Sequence, residues 1–166
     1  MVVTDRECTA ETIATRNNIA LVRVERNSYG KDFDRDTYTC EVRDALIGHE
    51  IDLIAMAGFG TILNKPIYDD FANRILNTHP SLLPSFPGWH AVEEALEYGV
   101  KVTGCTVHIA TEEVDAGPIL AQESIPVLKD DTKETLHERI KKVERQLYVD
   151  TLNKIIATNG QIERDQ

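Results

Sequence analysis

The triplet Asn77-Thr78-His79 holds residue types that acyl chemistry uses. An Asn and a His two apart at the exit of a strand point together into a cleft. The Asn amide supplies an N–H donor, and a protonated His supplies a second, charged one. Two such donors aimed at one carbonyl oxygen stabilise the oxyanion of a tetrahedral intermediate. Pro80, Pro84 and Pro87 follow and stiffen the loop, as a preorganised site requires. A capped turn followed by an ordinary loop histidine would present the same triplet, so the triplet alone leaves both readings open.

Asp115 is the natural partner. It lies in an acidic turn beside two small residues, Ala116 and Gly117. A carboxylate near an imidazole favours the charged ring and can relay a proton through water. Asp is also a common turn residue, and sequence does not show that Asp115 meets His79. Thr106 and His108 share one face of the preceding strand and are candidates for the same cleft. Glu144 sits within or beside an apolar helical stripe, where a carboxylate is costly unless partnered. It either receives a substrate amine or hydroxyl, or reaches solvent from the stripe's edge. Gly58 and Gly60 allow close backbone approach, so the segment to Leu63 either receives a flat ring or simply turns the chain. His90 and Glu93 have helical ligand spacing, but no second ligand cluster accompanies them, and no metal is expected.

The elements that must position these groups alternate between strand and helix. Strands are expected at Val2–Thr4, Ile19–Val24, Ile51–Ala57, Arg74–Asn77, Val102–Ile109 and Ile119–Val127. Ile51–Ala57 is mostly apolar and suits a strand buried on both faces. Helices are expected at Ala10–Arg16, from an Asp34 cap to Gly48, near Pro66–Phe71, at His90–Tyr98 and at Thr132–Ala157. Leu136, Ile140, Val143, Leu147, Leu152 and Ile155 give the last one its apolar stripe. The proline-rich stretch Thr78–Gly88 reads as a loop. Together these give an α/β domain, single over residues 1–166, whose ligands bind beyond the carboxyl ends of the strands.

Composition narrows the class. A charge of −10, from 18 Lys and Arg against 28 Asp and Glu, argues against a duplex or tRNA partner. It leaves room for a small anion held by local donors. No apolar run reaches membrane-spanning length. The three cysteines form no CxxC pair, which fits a reducing cytoplasm.

Four motifs in order carry a family resemblance. They are Met56-Ala57-Gly58-Phe59, Asn77-Thr78-His79-Pro80-Ser81-Leu82-Leu83-Pro84, Gly104-Cys105-Thr106-Val107-His108 and Val114-Asp115-Ala116-Gly117-Pro118-Ile119. With them, Val2 to about Asn153 resembles the glycinamide ribonucleotide formyltransferase family of purine biosynthesis. The resemblance implies a Rossmann-like formyltransferase fold, mostly parallel, with helices on both faces. It implies 10-formyltetrahydrofolate as formyl donor and glycinamide ribonucleotide as acceptor. By the same resemblance Asn77 and His79 polarise the formyl oxygen, and Asp115 keeps His79 protonated. Arg35, Asn77 and the backbone of Gly60, Thr61, Ile62 and Leu63 bind the folate, and Glu144 contacts the substrate. A monomer or homodimer in the cytoplasm is implied.

Two departures qualify it. Thr61 stands where many members have an arginine. Members also begin with a strand, a Gly-x-Gly-Ser-Asn-like loop and a helix. That unit of roughly thirty residues cradles a phosphate and is not found ahead of Val2. The first strand is therefore expected to be missing, with the chemical half of the site present and the phosphate half absent. Formyltetrahydrofolate deformylase shares the Asn-x-His and Asp pair, and an inactive folate-binding remnant is the non-enzyme alternative. Methionyl-tRNA formyltransferase also shares the core, but needs a tRNA-binding domain and a less acidic chain.

Overall fold

The computed structural model of the 166-residue chain describes residues 1–158 and Ile162, so the far end of the expected 1–166 domain lies outside the described residues. The described residues form two compact units.

The first unit holds Met1–Ile54 and Gly58–Ala72. Its strands β1 (Val2–Thr4) and β2 (Leu21–Arg23) pair in parallel, with Val3 opposite Val22. A parallel pair needs a crossover, and α1 (Thr9–Arg16) supplies it. Glu11 of α1 is buried and accepts bonds from Thr4 and from both ends of the Arg23 fork, tying helix to strands. Helix α2 (Arg35–Gly48) starts at Asp34, whose carboxylate accepts the Thr37 N–H at 3.0 Å. Tyr38, Val42 and Leu46 of α2 are buried, as their spacing predicts. Helix α3 (Lys65–Asp70) follows Asn64, whose N–H donates to Thr39 Oγ1.

The second unit holds Ala55–Ala57 and the chain from Asn73 onward. A four-stranded sheet runs in the order β3 (Ile54–Ala55), β4 (Ile75–His79), β5 (Val102–Ile109), β6 (Ile119–Pro126). Both β4–β5 and β5–β6 are antiparallel, so the α/β class holds with two antiparallel ladders added to the expected parallel pairing. The connection from β5 to β6 is a short turn, which returns the chain only antiparallel. Helices α4 (Ala91–Tyr98) and α5 (Lys133–Ala157) cover one face. Val92, Cys105, Ile125, Leu136 and Ile140 form the core there, with Val143 and Leu147 packed against it.

Two expectations change. The run Ile51–Ala57 forms only the two-residue β3, and Asp52 and Ala55 are exposed. β3 lies at the end of the strand order, so it pairs on one side only. Strand β4 also runs two residues further than expected, through His79, because Thr78 and His79 pair with Val107 and Thr106. No helix among the described residues is long and apolar enough to cross a membrane.

Candidate active site

The site grows from the β4–β5 register. Asn77 lies opposite His108, and His79 opposite Thr106. Alternation puts these four side chains on one sheet face, while Cys105 turns to the core beneath α5. Both faces of β5 are thus buried, one by hydrocarbon and one by polar groups that bond to each other.

The loop after β4 is pinned to the strands beside it. Thr106 Oγ1 donates to Ser81 O at 2.7 Å and accepts from Leu83 N at 3.0 Å. Gln122 Nε2 donates to Leu83 O and to Thr106 Oγ1, each at 2.9 Å. The stiffness expected from prolines therefore also comes from a threonine and a glutamine on neighbouring strands.

Asp115 stands at the β5–β6 turn with a left-handed backbone, φ 56°. Its Oδ2 accepts the Gly88 N–H at 2.7 Å and lies 3.2 Å from His79 Nδ1. Both side chains are 6% exposed. His79 Nε2 lies 2.7 Å from Phe86 O, a carbonyl that can only accept. A ring protonated on both nitrogens donates to both neighbours, and a neutral ring leaves one of them without a proton. Phe86 is itself held at φ 53°, an uncommon backbone region for a non-glycine residue.

His108 completes the cluster. Burial holds its pKa below the ordinary 6.5, against the opposing pull of the Ile109 carbonyl and Asp115. Its neutral ring donates from Nδ1 to Ile109 O at 3.1 Å and accepts at Nε2 from Asn77 Nδ2 at 3.3 Å. Asp115 Oδ1 is 3.6 Å from the same Nε2, beyond a good hydrogen bond. One buried carboxylate therefore has two imidazoles beside it.

The remaining candidates lie elsewhere. Glu144 is half-buried on α5, with no hydrogen bond or ion pair to Asn77, His79 or Asp115 among the described residues. Together with burial, its charge pushes the Cys105 thiol up to about 11, which places it on the core side of β5. Arg35 is the exposed first residue of α2. Thr61 and Leu63 bury their side chains, and Ile62 is 47% exposed. The backbone groups of Gly60 to Leu63 make no protein hydrogen bond among the described residues. No group of His, Cys, Asp and Glu suited to a metal occurs among the described residues. The Phe86 carbonyl, the Gly88 N–H and Gln122 escaped the sequence analysis. Backbone groups leave no residue-type signal, and Gln122 acquires meaning only from the β5–β6 register.

A sheet-borne Asn–His–Asp constellation is what a formyl-transfer enzyme would place at its centre. A formyl transferase family model matches residues 1–152. Phosphoribosylglycinamide formyltransferase of Mycobacterium tuberculosis (strain CDC 1551 / Oshkosh) is 47% identical over 156 residues, 94% of this chain and 71% of its own length. The crystal structure of glycinamide ribonucleotide transformylase 1 from Symbiobacterium toebii matches with a TM-score of 0.87 at 36% identity, over 99% of this chain and 76% of that one. A formyltetrahydrofolate deformylase from Pseudomonas syringae pv. tomato matches with a TM-score of 0.81 at 28% identity, but over only 49% of its length. This chain belongs to the formyl transferase family, within its phosphoribosylglycinamide formyltransferase branch.

Proposed function

We propose that this chain transfers the formyl group of 10-formyltetrahydrofolate to the amine of glycinamide ribonucleotide, a step of de novo purine (IMP) synthesis. The observation that carries this is the buried His79–Asp115 pair with Asn77 one strand repeat away. The His79 Nε2–H now given to Phe86 O passes to the formyl oxygen when substrate takes that carbonyl's place. Asn77 spends one amide N–H on His108 and keeps the other for the same oxygen. Both donors then stabilise the oxyanion formed as the amine attacks the formyl carbon. The amine nitrogen–carbon bond forms, the N10–carbon bond breaks, and the amine proton ends on N10. Asp115 faces His79 throughout and is the group suited to moving that proton, directly or through water.

The folate lies along Gly60, Thr61, Ile62 and Leu63, whose unbonded backbone groups suit the edge of a pterin. Arg35 and Asn77 contribute to the same ligand, and Glu144 to the acceptor. The reaction needs no metal, and its partners are small molecules rather than nucleic acid, in a cytoplasmic setting.

The test is the purified chain with both substrates. Formyl-glycinamide ribonucleotide is the expected product. Formate release without acceptor would favour the deformylase reading instead, and folate binding with no turnover would leave only a binding remnant. Asp115→Asn, which keeps the size of the side chain, is expected to lower kcat about 10²- to 10⁴-fold. Near-full activity of that variant would remove Asp115 from the mechanism.

A further inference from the structure

Strand β6 is last in its sheet, so one of its edges pairs with β5 and the other is open. Which backbone groups face the open edge follows from two bonds. Val127 N–H donates to Lys101 O at 2.9 Å, so the pair just beyond Val102 and Pro126 is a hydrogen-bonded one. Alternation then turns Ile125, Glu123 and Ala121 toward β5, and Pro126, Ser124 and Gln122 outward. The outward direction of Pro126 O agrees, since Arg139 Nη1 on α5 donates to it at 3.0 Å. Ser124 and Gln122 therefore present their N–H and C=O groups beyond the sheet. An open strand of eight residues is a template for another strand.

Alongside this edge α5 leaves a groove of about 660 Å³. Its floor is Ile125, Val143 and Leu147, continuous with the core beneath α5. Lys142, Gln146 and Asp150 form its wall. Val149, two turns along the same side from Lys142, is 53% exposed. Lys142 and Glu123 make no ion pair among the described residues, and Asp150 accepts only from the Gln146 amide. Measured from the Arg139–Pro126 bond, about 10 Å along either element reaches Gln146 on α5 and Glu123 on β6. The middle of the helix wall thus lies beside the middle of the open edge.

Edge and wall are self-complementary. A two-fold axis beside Gln122 and Gln146 sets Lys142 against Asp150 of the second copy, twice over, and Val143 against its Val149. On the strand the same axis pairs Gln122 with its own copy and Glu123 with Ala121, so no two carboxylates face each other. An axis at Glu123 would oppose two glutamates, and one at Ser124 would need an N–H from Pro126. We infer that the open edge of β6 and the adjoining wall of α5 form the contact surface for a second copy of this chain, with the two β6 strands pairing antiparallel across a two-fold axis. The charge order about one axis favours a second copy over an unrelated extended peptide, which has no reason to match it.

The experiment is sedimentation equilibrium of the full chain over a concentration series. A monomer–dimer equilibrium is expected, with slower hydrogen exchange at the Gln122 and Ser124 amides as the dimer fills. Ser124→Pro removes an outward N–H from each copy and leaves the β5 ladder untouched. It should raise the dimer Kd at least about 10-fold with an unchanged circular dichroism spectrum. Lys142→Glu alone, or Asp150→Lys alone, brings like charges together and should weaken the dimer several-fold. The double variant restores opposite charges in reversed order and should recover the original Kd. A chain that stays monomeric at millimolar concentration overturns the inference. So does a dimer indifferent to these substitutions, which uses another face, or a double variant no better than the single ones. Protection of the Gln122 and Ser124 amides in a monomer by an added valine–threonine peptide would assign the edge to a different partner and overturn it as well.

Discussion

Asn77 Nδ2 and His108 Nε2 face each other at 3.3 Å across the β4–β5 ladder, so the imidazole sets the orientation of the amide. Nδ1 of His108 gives its proton to Ile109 O, which leaves Nε2 as the acceptor. The Asn77 NH2 group must then turn toward His108, and its second N–H is left for a substrate oxygen. In the proposed reaction His108 is thus a positioning residue, acting through Asn77.

Replacing His108 by Phe keeps the ring volume and deletes both bonds. The amide loses its fixed orientation, and kcat/KM is expected to fall about 10- to 100-fold, the worth of roughly one to three kcal/mol of hydrogen bonding. His108→Gln offers an acceptor at a similar reach and should restore part of the loss. Steady-state kinetics of both variants check this, and equal damage in the two would dissociate the effect from Asn77 orientation.

Acid should weaken the fold through the same histidine. The His108 pKa is lowered from 6.5 by burial, and that of half-buried His137 is lowered for the same first cause. Between the lowered values and 6.5 the unfolded chain binds more protons than the folded one. Their contribution to stability is therefore complete above pH 6.5 and declines as the pH falls below it. Denaturant titrations at several pH values should show that decline, and His108→Phe should flatten part of it. A slope unchanged in the variant would assign the acid limb to other groups.

Much of this architecture was legible in the residues, for reasons that also explain the failures. Helix α5 was readable because Leu136 and Ile140 repeat at helical spacing and become its fully buried positions. β3 was misjudged because an apolar run reports a tendency to bury, while strand length depends on partners that sequence does not reveal. Asn77 and His79 share a face by the two-residue period alone. The meeting of His79 with Asp115 depends on a turn that places Asp115 at φ 56° and on the Gly88 N–H that holds its carboxylate. Neither has a signature in residue type. The partners of His108 follow from the β4–β5 register, which sets Asn77 opposite it.

Thr106 holds the loop after His79 through three bonds, with Ser81 O, Leu83 N and the amide of Gln122 as partners. All three use its hydroxyl, and its side chain is fully buried. Thr106→Val preserves shape and strands the Ser81 carbonyl and Leu83 N–H without that partner. A loss of about 1–3 kcal/mol is expected by chemical denaturation. Faster amide hydrogen exchange at Leu83 should accompany it. A stable variant with unchanged exchange would show that Gln122 alone suffices to pin the loop.

Gly117 gives the sharpest test of how the Asp115 turn is built. A Cβ there would lie 1.8 Å from Ile109 O and 3.1 Å from Thr111 Cγ2. The first contact is with backbone that is already committed: Ile109 O accepts from His108 Nδ1 at 3.1 Å, and Ile109 N donates to Pro118 O at 2.9 Å. Nothing near it can yield as a flexible side chain would. Gly117→Ala must push the turn away from β5, at an overpacking cost of about 1–3 kcal/mol. In a chain of this size that lowers Tm by about 2–4 °C per kcal/mol. Asp115 lies two residues upstream, so the displacement separates it from His79 and kcat should fall more steeply than stability alone explains. Ala116→Ser, at an exposed neighbour, is the control and should change neither Tm nor kcat. A Gly117→Ala protein with lowered Tm but full kcat at low temperature would mean that the His79–Asp115 spacing tolerates more movement than a preorganised site allows.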